Sequence, residues 1–339
     1  MQNKRILLSS RPSGRLDDTN FELRTEALPA LADGKARVRV VYVSLDPAMR
    51  GWVSSATNSY LPPVPLGDTM RSLGIGIVTQ SCCEGLAAGD WVTGFTGWTE
   101  YLDVDEGQLT IVPSTVPMEA YMGVFGLAGA TAYHGLVKVG KPKAGETLCV
   151  TGAAGSVGSL VGQIGKALGM RVIGIAGTQE KCDWLVKDLG FDAALNYKTD
   201  DLDAGLQAFA PDGIDVHFEN VGGRPFAAAL RNMKAFGRIV MCGFISVYNG
   251  DKTEEVPDMT AVVRRRLTVK GFVMTDHFET YPEIFKALGD LLQRGQLKYR
   301  LDVVDDLENA PAALNKLFDG SNKGKLVVKV SGPEAARAM

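Results

Sequence analysis

Histidine is almost missing from this chain of 339 residues: there are only 3, His134, His217 and His277, far apart in sequence. The 5 cysteines stand at positions 82, 83, 149, 182 and 242, an odd number with no CxxC pair. A structural zinc usually takes four thiolates at close spacing, and a catalytic zinc needs three converging ligands. Neither set is visible here, so we expect no metal. Scattered thiols of this kind read as reduced cysteines without disulfides. An excess of charge of one sign is missing too. With 36 basic against 39 acidic residues and a formal charge of −3, no basic field draws the chain to nucleic acid or anionic lipid. The GxSxG elbow of serine hydrolases is absent as well, which argues against hydrolysis.

Long apolar runs are few. Residues 120–137 and 147–165 carry no charge, but the first holds Gly123, Gly126, Gly129 and Gly135 beside His134 and Thr131. The second resolves into a branched strand, a glycine turn and a helix, so neither reads as a membrane span. The N-terminal MQNKRILLSSRP offers one short apolar run after its charges, where a signal-peptide core needs at least ~7 residues. A cytoplasmic protein with no membrane partner is the expectation.

What is present is enough apolar material, 45% of residues, for about two packed domains at roughly 150 residues each. The first 120 residues combine short branched runs, such as 36–43, with many turn formers, which suggests an irregular, mostly β domain. From Thr147 the texture becomes regular. Buried strands are expected at 147–151, 171–176, 193–197, 215–221, 238–242 and 268–274, with helices between them, for example at 180–189 and 225–235. This alternation is the signature of a doubly wound parallel sheet in an α/β fold. A long helix should follow at 281–294. The tail returns to strands at 299–304 and 325–330 around a helix near 312–317, and could complete the β domain.

One motif carries chemistry. After the strand TLCVT comes Gly152-Ala-Ala-Gly155-Ser-Val-Gly158, a glycine turn opening into a helix. Glycine permits the tight turn, lets backbone amides approach a pyrophosphate and lets helix and strand pack closely. The next strand, RVIGIA, runs into Gly177-Thr178-Gln179 with no acid at its tip, where an NAD site places one for the ribose hydroxyls. Lys181 follows, placed to meet a 2′-phosphate, so NADP(H) is favoured. Glu180 should then face solvent. The alternative for Lys181 is an ordinary exposed helix lysine.

The chain also resembles the zinc-independent medium-chain dehydrogenase/reductases, in the branch of prostaglandin reductase, also called leukotriene B4 12-hydroxydehydrogenase, and the double-bond (curcumin) reductases. The landmarks span nearly the whole sequence. They are Ser44-Leu-Asp-Pro-Ala-Met-Arg50, Gly67-Asp-Thr-Met70, Gly129-Ala-Thr-Ala-Tyr133, the glycine turn, Asn196-Tyr-Lys198, Glu219-Asn-Val-Gly-Gly223, Cys242-Gly-Phe-Ile-Ser-Val-Tyr-Asn249, Gly271-Phe-Val-Met274 and Asn322-Lys-Gly-Lys325. The resemblance implies a Rossmann-type sheet domain at 124–298 and a GroES-like, mostly β catalytic domain at 1–123 completed by 299–339. It implies a homodimer and a small-molecule enone or enal substrate.

Carried onto this sequence, the resemblance puts Gly152, Gly155, Ser156, Val157, Gly158 and Ser159 at the pyrophosphate, and Lys181 and Tyr197 at the adenosine phosphate. Asn220, Cys242, Gly243 and Tyr248 would lie on the nicotinamide side. Phe272, Val273 and Met274 would offer backbone contacts to the carboxamide, and Asn322 would reach in from the tail. Phe272 and Val273 are also ordinary core-strand residues. Tyr42, Ala48 and Tyr60 are candidates for the substrate pocket, although either tyrosine could be core. Ala48 departs from the family, which commonly has Tyr there. The implied activity is NADPH-dependent reduction of the C=C bond of α,β-unsaturated ketones and aldehydes without a metal, with Tyr248 as the catalytic oxyanion donor. Two alternatives stay open: an NADPH:quinone oxidoreductase of the same superfamily, and a non-catalytic NADPH-binding protein supported only by the run Arg264-Arg-Arg266.

Overall fold

The computed structural model describes residues 1–56, 59–250 and 255–332; residues 333–339 of the expected tail lie outside these. The chain divides into two compact units, Met1–Met122 with Leu301–Met339, and Gly123–Arg300.

The first unit opens with β1 (Gln2–Leu8) and β2 (Phe21–Ala27), paired antiparallel as a separate hairpin. There follow β3 (Lys35–Ser44), the single-turn α1 (Met49–Trp52), β4 (Leu73–Ser81), β5 (Trp91–Phe95), β6 (Tyr101–Asp105), β7 (Leu109–Val112) and α2 (Met118–Gly123). β3 is buried on both faces: Val40 and Val43 join Leu45, Met49, Trp52 and Trp98 in one apolar cluster, and Ala36 and Val38 join another.

The second unit begins with α3 (Leu127–Tyr133), continued by a π-helix at His134–Gly140. No helix of the described residues is long and apolar enough to cross a membrane. Then strands and helices alternate: β8 (Thr147–Thr151), α4 (Ser156–Ala167), β9 (Arg171–Ala176), α5 (Gln179–Lys187), β10 (Ala193–Asn196), α6 (Leu202–Phe209), β11 (Ile214–Glu219), α7 (Gly223–Arg231), β12 (Met233–Met241), α8 (Thr260–Arg264), β13 (Thr268–Gly271) and α9 (Tyr281–Gln293). The sheet order is β10-β9-β8-β11-β12-β13, every pair parallel. This is the doubly wound order, and the sequence direction reverses between β8 and β11, where such sheets open a ligand crevice at the strands' carboxyl ends. Apolar layers cover both faces, one built on Leu148, Val150, Leu160 and Leu288, the other on Ile173, Ile175, Phe226 and Ile239.

Several expected boundaries were wrong, the end of β11 and the start of β12 among them. The strand at 268–274 ends at Gly271, and Met274 begins a 3-10 turn. The helix expected at 225–235 stops at Arg231, and Met233 already belongs to β12. Small residues there suit either state, and pairing with β11 decides it.

The chain then returns to the first unit through β14 (Leu301–Asp305), α10 (Ala310–Asp319) and β15 (Lys325–Lys329). Their seven-stranded sheet runs β14-β15-β3-β4-β5-β7, with β6 also on β3. Buried Lys325 donates to Asp46 at 2.7 Å and to the Leu45 carbonyl at 2.9 Å, while Arg50 donates to the Gly14 carbonyl at 3.0 Å. Three landmark residues thus have structural duties.

Candidate active site

At the end of β8 the backbone turns through Gly152, with φ of +58°. Gly155 donates back to the Gly152 carbonyl at 2.9 Å and serves as N-cap of α4 without any side-chain cap. The first amides of α4, at Ser156, Val157 and Gly158, are therefore left for a ligand. A methyl on Gly158 would stand 2.4 Å from the Gly152 oxygen and 2.8 Å from the Ala153 Cα, so only glycine fits. A methyl on Gly155 would meet only the Gly152 oxygen, at 3.2 Å, which leaves that side open. The Ser156 hydroxyl is buried with no hydrogen-bond partner among the described residues. Ser159 instead turns its hydroxyl to the Ser156 carbonyl at 3.3 Å, and Val157 packs on the core.

At the tip of β9, Thr178 caps α5 by accepting from the Lys181 amide at 3.3 Å. Lys181 is half-buried and Glu180 exposed. Tyr197 leaves β10 and lays its ring on Gly177, where an added methyl would meet it at 3.0 Å. Lys198 Nζ lies 5.9 Å from the Tyr197 ring centre. Arg224 anchors this corner from below through the Tyr197 and Asp200 carbonyls, both at 3.0 Å. Lys198 and Thr178 are additions to the expected set. The motif containing Lys198 was visible, but its side of the turn was not.

Between β8 and β11 the crevice floor is stitched together. Asn220 donates its amide to Thr151 Oγ1 at 2.9 Å and its Nδ2 to the Thr151 carbonyl at 2.7 Å. Glu219 is fully buried and accepts at Oε1 from Thr151 Oγ1 and from the amides of Val221 and Gly222. That captured turn explains why β11 ends at Glu219, short of the expected Val221. Cys242 and Gly243 both donate their amides to the Glu219 carbonyl, at 2.9 and 3.1 Å. The Cys242 thiol is pushed up to about 12, chiefly by burial and then by the Glu219 charge, so it is no nucleophile at neutral pH. The Tyr248 hydroxyl accepts from the Phe244 amide at 3.1 Å, and burial raises its pKa above the ordinary phenol value. Its hydrogen has no acceptor among the described residues, and a methyl on Gly243 would meet its oxygen at 3.3 Å. The Ser246 hydroxyl is a second buried polar atom of this floor without a partner among the described residues.

Phe272 and Met274 join the core, Phe272 stacked on His134 at 5.6 Å. His134 in turn stacks on His277 at 4.1 Å, so two histidines that look isolated in sequence meet in space. Burial first, and His277 second, lower the His134 pKa. Its folded value lies below the unfolded one, so the stability it contributes is present above about pH 6.5 and is lost as pH falls. Urea midpoints measured from pH 7.5 to 5.5 should fall less steeply for His134→Phe, which keeps the stack, than for the unmodified chain.

The remaining candidates belong to the first unit. Tyr42 is 6% exposed and donates its hydroxyl to Glu119 at 3.0 Å. Ala48 precedes α1 and packs on the core, and Tyr60 is 49% exposed. Asn322 is buried, its Nδ2 donating to the Gly324 carbonyl at 3.0 Å. The structure does not bring these four together with the crevice residues in one unit.

The crevice fits a dinucleotide: free helix amides, a glycine cradle, unpartnered serine hydroxyls and cationic side chains at the tip of the second strand. Residues 4–112 match the family model described as the N-terminal domain of oxidoreductase, and 156–290 the one described as zinc-binding dehydrogenase. The latter name implies zinc, yet no group of three or more His, Cys, Asp or Glu among the described residues could hold a metal ion. The NADPH-dependent curcumin reductase of Escherichia coli is 38% identical, with 98% of each chain covered. The NADP(+)-dependent 2-alkenal reductase of Nicotiana tabacum is 39% identical, also with 98% of each chain covered. A crystal structure of CurA from Vibrio vulnificus in complex with NADPH superimposes with a TM-score of 0.92 at 40% identity, covering 97% of this chain and 100% of that one. The chain belongs to the zinc-independent medium-chain dehydrogenase/reductases, in their double-bond reductase branch.

Proposed function

We propose that this protein is an NADPH-dependent reductase of the C=C bond of α,β-unsaturated ketones and aldehydes. The observation that carries the reading is the open glycine crevice at the β8/β11 switch point, with lysines and no acid at the tip of β9. The named relatives support it.

When bound, NADPH supplies a hydride from nicotinamide C4 to the substrate β-carbon, a proton joins the α-carbon, and NADP+ and the saturated carbonyl result. The chain's residues bind, orient and stabilise. Ser156, Val157 and Gly158 amides hold the pyrophosphate, with Gly152 and Gly155 shaping the turn. Lys181 and Tyr197, with Lys198 beside them, receive the 2′-phosphate end. Asn220, Cys242 and Gly243 would line the nicotinamide side, and the backbone of 272–274 would offer contacts to the carboxamide. Tyr248 donates its free hydroxyl hydrogen to the carbonyl oxygen as negative charge develops there. Tyr42 is no oxyanion donor in this reading, because its hydroxyl hydrogen is already given to Glu119.

Lys181→Ala should weaken NADPH by roughly 10- to 150-fold, the equivalent of ~1.5–3 kcal/mol for a charge-assisted contact, and leave NADH nearly untouched. Equal changes for both nucleotides in calorimetry would refute the 2′-phosphate role. Mass spectrometry of products from a panel of enones, enals and quinones tests the activity. A saturated ketone is expected, and exclusive quinone turnover would overturn the reading.

A homodimer fits β13, an edge strand whose four residues are all exposed and whose outer backbone groups lack a neighbour in the sheet. Light scattering should give twice the chain mass. The five free thiols suit a reducing compartment, and we place the protein in the cytoplasm. Cell fractionation checks this.

A further inference from the structure

Glu219 holds the turn, and its carboxylate has no lysine or arginine partner among the described residues. Its carboxylate is 0% exposed, and its sole ion-pair candidate among the described residues is His217, also 0% exposed, whose Nε2 lies 2.7 Å from Oε2. His217 Nδ1 has no partner among the described residues. With Nε2 turned to the carboxylate and Nδ1 facing no acceptor, one N–H, on Nε2, satisfies every contact this ring makes among the described residues. The other three donors, Thr151 Oγ1 and the amides of Val221 and Gly222, are neutral dipoles. They stabilise an anion without neutralising it.

This charge lies under the 220–222 turn, and its own backbone carbonyl holds Cys242 and Gly243. On the reading of that floor as the nicotinamide side, its sign matters. Hydride loss converts a neutral dihydropyridine into a pyridinium carrying one positive charge. We propose that Glu219 is a positioning residue that also biases the crevice electrostatically toward the oxidised nucleotide, easing hydride departure from NADPH. A merely structural carboxylate would treat both redox forms alike.

Calorimetric titration of NADP+ and NADPH into the full chain separates the two roles. Glu219→Gln should weaken NADP+ about ten-fold more than NADPH, or ~1.4 kcal/mol in the ratio. His217→Gln, which keeps the carboxylate and supplies an N–H toward it, should hold that ratio within about two-fold. If Glu219→Gln does not fold, His217→Lys cancels the charge in place and carries the same expectation as that variant. Equal weakening of both forms, or an unchanged ratio, overturns the proposal. Failure of the unmodified chain to bind either nucleotide instead removes the cofactor reading, and this proposal with it.

Discussion

Gly158→Ala should abolish productive NADPH binding, raising Kd by more than about 100-fold, which corresponds to over ~2.7 kcal/mol. The added methyl would sit 2.4 Å from the Gly152 oxygen and 2.8 Å from the Ala153 Cα, and both are backbone atoms that cannot rotate away. Relief requires α4 to move off the turn. That movement displaces the amides of Ser156 and Val157, the groups the pyrophosphate needs. Because α4 also packs Leu160, Val161 and Ile164 into the core, the shift costs stability as well. Strain of about 1–3 kcal/mol would lower Tm by a few degrees at roughly 2–4 °C per kcal/mol in a unit of this size. Titration calorimetry with NADPH and a thermal melt measure the two effects. A folded variant that binds NADPH normally would show that the turn does not hold the pyrophosphate.

The second large effect is catalytic. Tyr248→Phe removes the hydrogen that the phenol has free to give, together with the oxygen that accepts from the Phe244 amide, and keeps the ring. Loss of one oxyanion donor costs about 2.7–4 kcal/mol, so kcat for an enone should fall 10²- to 10³-fold with NADPH affinity nearly unchanged. The direction of the Tyr248 pKa adds a pH test. Burial lifts it above the ordinary phenol value, so the hydroxyl keeps its proton, and any alkaline fall in kcat due to its ionisation should lie above about pH 10. An unchanged kcat in Tyr248→Phe would assign the donor role elsewhere.

The parallel sheet was readable because its strands are branched, apolar and regularly spaced. β8, β9 and the helix at α9 follow the residues that suggested them. Strand ends were harder. β11 stops where the Glu219 side chain takes the amides of Val221 and Gly222, a tertiary event with no propensity signal. β12 begins at Met233, inside a stretch of small residues that reads as helix, because pairing with β11 prevails.

Among the site residues, the glycine turn was legible from spacing alone, and its geometry gives each glycine a separate task. The resemblance pointed to Tyr248, and the structure shows its hydroxyl bound by the Phe244 amide. The Asn196-Tyr-Lys198 landmark was visible as a motif. The contact of Tyr197 with Gly177, which brings Lys198 beside the tip of β9, depends on two strands meeting. Nothing in the sequence marked Glu219 as a fully buried carboxylate that holds the turn after β11. Conversely, Asp46, Arg50 and Lys325 sit in landmarks that suggest chemistry, yet their hydrogen bonds hold together the β unit. Tyr42 is similar: an aromatic residue on a strand looked like a pocket wall, and its hydroxyl proves to be engaged by Glu119.

The most direct test of the account is transfer of label. NADPH carrying deuterium at nicotinamide C4, incubated with the purified chain and an aliphatic enone, should give a saturated ketone with one deuterium at the β-carbon. Deuterium on the carbonyl carbon of an allylic alcohol, or no labelled product from any enone tried, would contradict it.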